Sequence, residues 1–249
     1  GVVNYASAVR ARMDGTAATL DGAAALAASS ASTLRLVSIR DGDGDSAGNL
    51  IVAVMNATGE TAAQTDDSEI TAQDIALEAT DATLRDVFTN GAARVDATGL
   101  AGGVIVDVYR RDTRARAAGT LLRTLSGDVR LAALSQVEAA TVAIGRNGGQ
   151  GDVGGQGNVT WLTDARDVVA EVVDGAIDAE GDATLAARRA DSYLSLQGSD
   201  TRSANGLGIG AGVFRVHGTT AALLRGAGSA RTGGDLSLAA ENAAELLQV

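Results

Sequence analysis

Cysteine and proline are absent from the 249 residues of the chain, and aromatic residues make up only 2% of it. Without cysteine there are no disulfide bonds, no thiolate metal ligands and no thiol catalysis. The hydrophobic residues, 45% of the total, are mostly Ala, Val and Leu. Side chains this small favour a thin core that extends along one axis, as in a solenoid, over a thick globular core.

Lysine is also absent, so the 20 basic residues are all arginine, against 31 acidic residues and a formal net charge of -11. An acidic chain repels phosphate groups, and we expect neither nucleic acid nor an anionic membrane as a partner. No apolar run approaches the roughly 18 residues that span a bilayer, so no transmembrane segment is predicted. The chain starts with Gly-Val-Val, neither an initiator Met nor a signal peptide, and we expect a piece of a longer protein.

An internal repeat of about 52 residues is the strongest pattern in the sequence. It is marked by segments with apolar residues at alternate positions: 22–28 (GAAALAA), 73–79 (QDIALEA), 127–133 (GDVRLAA), 181–187 (GDATLAA) and 234–240 (GDLSLAA). Alternation with a period of two predicts a strand with one buried face. The central residues, which we expect inside the core, are Leu26, Leu77, Leu131, Leu185 and Leu238.

Two further strands are predicted in the repeat. One precedes the Leu segment, as at 113–117, where Arg114 and Arg116 alternate with small residues and should face water. The other resembles 103–109, in which three valines share one face: Val104, Val106 and Val108. Loops rich in Gly, Asp and Asn are predicted at 41–49, 145–157 and 198–208.

These patterns predict an all-β fold, a parallel β-helix or β-solenoid, in a single continuous domain. Its approximate units are 1–46, 47–99, 100–155, 156–206 and 207–249. Because about 52 residues exceed one ordinary coil, we expect two or three coils in each repeat. Helical repeats would show apolar residues at i, i+3, i+4 and i+7, which these strands lack. A β-propeller is the other all-β alternative, although its blades would normally need more aromatic residues.

Two strings carry a resemblance to known proteins, 103–115 (GVIVDVYRRDTRA) and 127–133 (GDVRLAA). They resemble repeats of very large filamentous adhesins of bacteria, the hemagglutinin-like and leukotoxin-type families, although Asp107 stands where those repeats often have Asn. The resemblance implies a right-handed parallel β-helix, export by a two-partner or autotransporter route, and an extracellular or cell-surface role in adhesion or display.

Three carboxylates spaced two residues apart form the candidate metal site, and they belong to Asp41, Asp43 and Asp45. This spacing lets oxygen ligands converge on one hard cation, as in the first half of a calcium loop. An EF-hand is excluded because Ser46 and Val52 occupy the positions that require Gly and Glu. The candidate ligand is therefore Ca2+, and a solvated turn between repeats is the alternative.

The function predicted from these features is structural rather than enzymatic. His217, the single histidine, precedes a strand in a turn and is expected at the surface. We predict a rigid stalk or fibre segment of an extracellular adhesin, with further copies of the repeat or neighbouring subunits stacked end to end, and with glycan or cell-surface ligands bound elsewhere. Two alternatives stay open: a β-helix enzyme that processes polysaccharides with clustered carboxylates and a base, and a calcium-stabilised surface-layer-type protein.

Overall fold

The computed structural model describes residues 1–148 and 153–249, without the side chains of 45–47 and 95–97. This part of the chain is all-β and has no helix. Its strands are β1 (Val2–Asp14), β2 (Ala17–Thr19), β3 (Ala24–Asp66), β4 (Glu69–Ala72), β5 (Ile75–Ala118), β6 (Leu121–Thr124), β7 (Val129–Asn147), β8 (Val153–Ala165), β9 (Val168–Val173), β10 (Ala176–Ala179), β11 (Ala183–Thr201), β12 (Asn205–His217), β13 (Thr220–Arg225), β14 (Ser229–Thr232) and β15 (Leu236–Gln248).

The strands pair in parallel with the equivalent strand of the next repeat, which gives a β-solenoid-like stack of layers. The smallest offset pairs Ala24 with Ile75, 51 residues later (75 − 24). The largest pairs Thr98 with Val153, 55 residues later (153 − 98). Each residue therefore lies above its counterpart in the following repeat. The predicted all-β, parallel architecture is confirmed.

The prediction of two or three coils in each repeat is wrong, because these offsets leave one layer per repeat. Two long segments of a layer lie face to face and take up most of its length. In the second layer they are 75–93 and 98–118, joined to the next layer through the short strand β6. Five layers at about 4.8 Å each make a stack of roughly 24 Å, half the height that two coils per repeat would give.

The predicted leucine column lies inside the stack. Leu77, Leu131 and Leu185 are fully buried. Leu26 in the first layer is partly buried against the same core, and Leu238 in the last layer stacks on Leu185 but is 44% exposed, since no layer covers it. Around this column, Ala, Val, Leu and Ile side chains of the short strands and of the long segments before them complete the aliphatic core.

The three valines of 103–109 do share one face, and it is the outer one. The buried residues of this segment are the alternate ones, Ile105, Asp107 and Tyr109. The arginines of 113–117 face outward as predicted, with Arg114 39% exposed. Here the outward guanidinium groups meet carboxylates of the neighbouring layers rather than water alone.

A chain of outward ion pairs with charges of alternating sign zigzags between two adjacent columns through all five layers. Its ion pairs measure 3.2 Å for Arg12–Asp66, Asp66–Arg116 and Arg116–Glu171, and 2.7 Å for Glu171–Arg225. In an in-register stack, equivalent positions lie directly over one another, so like charges would repel. Alternation of sign removes this repulsion, although each exposed pair contributes little by itself.

The Gly-Asp pair that opens the Leu segment has a structural cause. The carboxylate of Asp74 accepts a hydrogen bond from the backbone N–H of Asp128 in the next layer, at 3.0 Å. Asp128 does the same for Asp182 at 2.8 Å. A Cβ at Gly127 would collide with the Asp74 carboxylate, so glycine is needed above each aspartate. Gln73 is tolerated at the same position because Ala23 replaces the aspartate below it.

We expect Gly127→Ala to lower the free energy of unfolding by about 1–3 kcal/mol, because the added methyl group overpacks the Asp74 carboxylate. Gly22→Ala is the matched control, since nothing lies within 4 Å of a Cβ at this equivalent position in the first layer. It should be neutral or stabilise by up to about 1 kcal/mol.

Urea unfolding followed by circular dichroism measures these changes. The variant with both Asp74→Ala and Gly127→Ala should lose less than the sum of the single losses, because the collision is partly relieved. Equal losses for Gly127→Ala and Gly22→Ala would show that the stacked aspartate does not explain the motif.

Candidate functional site

The candidate calcium site is not built as a loop. Residues 41–49 belong to the continuous strand β3, so the predicted loop there is wrong. Asp41 and Asp43 lie before the register shift between Gly44 and Ser46, where alternate side chains project side by side about 6.8 Å apart. Asp41 and Asp43 are exposed, and Asp41 lies 3.9 Å from the guanidinium group of Arg94. The side chain of Asp45 lies outside the described residues.

Within the described part of the chain, no group of three His, Cys, Asp or Glu side chains could hold a metal ion. Calcium binding by Asp41, Asp43 and Asp45 stays a prediction. His217 is exposed at the end of β12, as expected. Its carbonyl oxygen accepts hydrogen bonds from the backbone N–H of Arg166 and from the guanidinium group of Arg189, both at 3.2 Å.

The main chemical feature of the interior is a cluster of ionised and phenolic side chains, which we call the ionic cluster. It lies between the two facing long segments, beside the aliphatic core. Each member has a side chain that is almost or completely buried: Asp81, Arg85, Asp107, Tyr109, Arg111, Asp164, Arg166, Arg189, Asp191 and Tyr193. Four arginines and four aspartates balance in charge.

Asp164 is the most connected member. One carboxylate oxygen, Oδ1, accepts hydrogen bonds from Nε of Arg166 at 2.6 Å and from Nη2 of Arg189 at 3.3 Å. The other, Oδ2, accepts from the hydroxyl group of Tyr193 at 2.6 Å and lies 3.8 Å from Arg85. Asp191 bridges the same two arginines from the opposite segment. The network thus ties residues 153–173 of the third layer to residues 183–201 of the fourth.

A second part of the cluster centres on Tyr109. Its hydroxyl group donates to Asp81 and lies within hydrogen-bonding distance of Thr83, at 2.8 and 2.9 Å. The guanidinium groups of Arg85 and Arg166 lie over its ring, 4.5 and 5.2 Å from the centroid. Such contacts between cation and ring strengthen when water is excluded. Tyr109 therefore connects the second layer to the third.

Burial shifts the proton equilibria of three members. It raises the pKa of Asp107 above its usual value, against the opposing effect of the adjacent Arg85. Burial, with the nearby Asp164, raises the pKa of Tyr193, and burial with Asp81 raises the pKa of Tyr109. Both phenols therefore stay protonated and act as hydrogen-bond donors wherever the fold is intact.

The ionic cluster is suited to structure rather than to chemistry on a substrate. Catalytic carboxylates must reach a bound molecule, and Asp164 and Arg166 are completely enclosed. Buried ion pairs add little net stability, but losing one partner leaves an uncompensated charge in a dry interior. The cluster therefore penalises any register in which an arginine and its aspartate are not opposed.

Sequence reasoning missed this cluster because it expected only small aliphatic residues inside. The signal was present at Asp107 and Tyr109, which alternate with the valines of 103–109. The three valines at alternate positions were more conspicuous than the polar residues between them. Because Asp107 lies on the inward face, a buried cation opposite it is expected, and Arg85 is that cation.

In each layer the second long segment, which is 98–118 in the second layer, carries an apolar surface on its outer side. We call this surface the apolar outer face. Its exposed side chains come from four layers: Leu50, Val52, Leu100, Val159, Leu207 and Ile209. Glycines between them, including Gly48, Gly102, Gly155 and Gly157, leave a groove of about 590 Å³. Leu50, Leu100 and Leu207 are each about 60% exposed. A patch of this extent on a protein surface usually marks an interaction site.

Comparisons of the chain with protein-family models, with curated proteins and with solved structures find no match. The resemblance to adhesin repeats therefore rests on the two strings at 103–115 and 127–133. Residues 1–148 and 153–249 include no helix long and apolar enough to cross a membrane. The stacked layers and the surfaces are therefore the features that bear on the function of the chain.

We expect Asp164→Ala to lower the free energy of unfolding by about 3–5 kcal/mol, because it leaves buried arginines without a counter-charge. Asp178→Ala is the matched control, since Asp178 pairs with Arg123 at 3.1 Å on the partly exposed outer surface. That change should cost less than about 1 kcal/mol. Chemical denaturation of both variants measures the difference. Similar losses for the two would contradict a structural role for the ionic cluster.

Proposed function

We propose that the chain is a structural stalk or fibre segment of an extracellular bacterial adhesin or filament. It would provide rigid reach and display for attachment, and its layers would form a closed, right-handed parallel β-helix. The observation that carries this proposal is the uninterrupted parallel pairing of each repeat with the next. A stack held by backbone hydrogen bonds along its length resists bending and extends by adding layers.

Exposed inward side chains on the two end layers support the proposal of end-to-end stacking. Leu236 and Leu238 occupy inward columns of the last layer and are 45% and 44% exposed. The first layer presents matching inward residues, Ala24 and Leu26, in the same columns. Unpaired strand edges of this kind pair readily with another strand. Stacking of a further repeat or another subunit would cover both ends.

The side chains inside the stack also support a structural role over polysaccharide processing. A groove enzyme would present carboxylates and a base to a polymer on its outer surface. The densest Arg and Asp cluster of the described chain is instead enclosed between the facing segments. Outward charges are paired between layers, as in the chain of ion pairs from Arg12 to Arg225.

The proposal predicts that two copies joined in phase form one continuous rod. The pairing places residue 249 above 196 and residue 1 beside 53, the counterpart of 212. A second copy of residues 197–211 between the two copies therefore completes the missing arc of one layer. Small-angle X-ray scattering should show a rod about 24 Å or more longer than one copy.

The matched control is the same fusion with a flexible Gly/Ser linker of equal length. A scattering profile of the in-phase fusion that equals that of two independently moving bodies would overturn the rigid-segment proposal. The extracellular location is tested on intact source cells with an antibody against the chain. Surface labelling is expected, and labelling only after permeabilisation would contradict it.

A further inference from the structure

The apolar outer face has a pattern that repeats from layer to layer. In one column Gly48 pairs with Leu100, Leu100 with Gly155, and Gly155 with Leu207. Large and absent side chains therefore alternate along the stack. The result is a row of ridges and hollows with a spacing of about 4.8 Å between successive layers.

This alternation is self-complementary. Consider a second copy placed face to face by a two-fold axis that runs along the strands, between the layers of Leu100 and Gly155. The rotation reverses the order of layers but keeps the columns. Leu100 then faces Gly155 of the second copy, and Leu207 faces Gly48. Leu207 meets the open hollow at Gly48, and Leu100 meets the position of Gly155, which Leu100 of the second copy partly covers.

The neighbouring column, which begins at Leu50, is compatible with the same arrangement. The rotation places Leu50 opposite Ile209 of the second copy, and Gly102 opposite Gly157. Leu50 and Ile209 thus contact each other at both ends of the groove. The glycines between them leave space at its centre beside Leu100. Two sheets packed in this way lie about 10 Å apart with their side chains interdigitated.

Charge and chemistry favour a copy of this chain over other occupants. No residue named on the face is ionisable, although the chain as a whole carries a net charge of -11. A glycan or an acidic or basic polymer would need polar groups on the surface that holds it, and the groove is lined mainly by Leu and Gly. A charge-free face is also where two acidic molecules approach with the least repulsion.

The area allows a weak but specific contact. Four columns, from that of Leu100 to that of Trp161 and Val213, and four layers cover about 25 by 19 Å, so two copies would together bury about 1,000 Å². That area is at the lower end of specific protein interfaces. Association of isolated chains in the micromolar range is therefore expected, and longer stacks would pair more tightly because successive contacts act together.

We propose that the apolar outer face is a lateral interface between two copies of this chain, packed face to face with their layers in opposite order. This inference does not depend on end-to-end stacking, which uses the strand edges of the end layers. It adds a second direction of assembly, in which stacks associate side by side.

Sedimentation equilibrium of the purified chain over a concentration series tests the contact. The wild type should show reversible dimers, and Leu100→Asp should weaken dimer formation by about 100-fold, since it buries a carboxylate in an apolar interface. Leu207→Asp provides a second variant in the same column. Leu125→Asp is the matched control, because Leu125 is also exposed, at 53%, but lies in the turn after β6.

The absence of cysteine permits a direct test of orientation. Leu100→Cys chains mixed with Gly155→Cys chains should form mixed disulfides on mild oxidation, whereas Leu100→Cys mixed with Gly48→Cys should not. Dimers that persist in both aspartate variants, with no selective mixed disulfide, would place association at the end layers and overturn the proposal. A wild type that stays monomeric at all concentrations would also overturn it.

Discussion

Parallel, in-register hydrogen bonding between layers is the constraint on which the rest of the structure depends. It places every residue over its counterpart some 51 to 55 residues away, so each column must be compatible with itself. Outward charges are compensated by ion pairs that zigzag between adjacent columns from Arg12 to Arg225. Gly127 is needed because the Asp74 carboxylate of the layer below reaches it from the adjacent column and leaves no room for a Cβ. Repetition of sequence is the simplest way to satisfy so many columns at once.

The layer is filled in two different ways along its length. Near the short strands the columns are aliphatic and are centred on Leu131 and its neighbours. Further along, where the two long segments face each other, Asp164, Arg166 and their partners replace them. The aliphatic part supplies the hydrophobic free energy of folding, and the ionic part discriminates between registers. Together they explain how a chain with few large side chains fills the interior between two long facing segments.

The sequence was sufficient for the fold class and insufficient for the shape of a layer. Alternation around Leu77, repeated in phase, predicted the buried strand because a period of two has one structural meaning. The number of coils could not be predicted, since the facing of 75–93 and 98–118 depends on pairs distant in sequence, such as Asp81 with Tyr109. The loop predicted at 41–49 is wrong because strand β3 pairs with the next layer there, apart from a register shift between Gly44 and Ser46. Calcium binding by Asp41, Asp43 and Asp45 stays a prediction.

Electron paramagnetic resonance of paired nitroxide labels tests the single layer per repeat most directly. Labels on cysteines introduced at Glu78 and Ala132, which are neighbours in adjacent layers, should show strong dipolar broadening. Labels at Glu78 and Val104, half a repeat apart and on different outer faces, should show little. Strong broadening for the second pair and none for the first would mean that each repeat winds through two coils, which would contradict one layer per repeat.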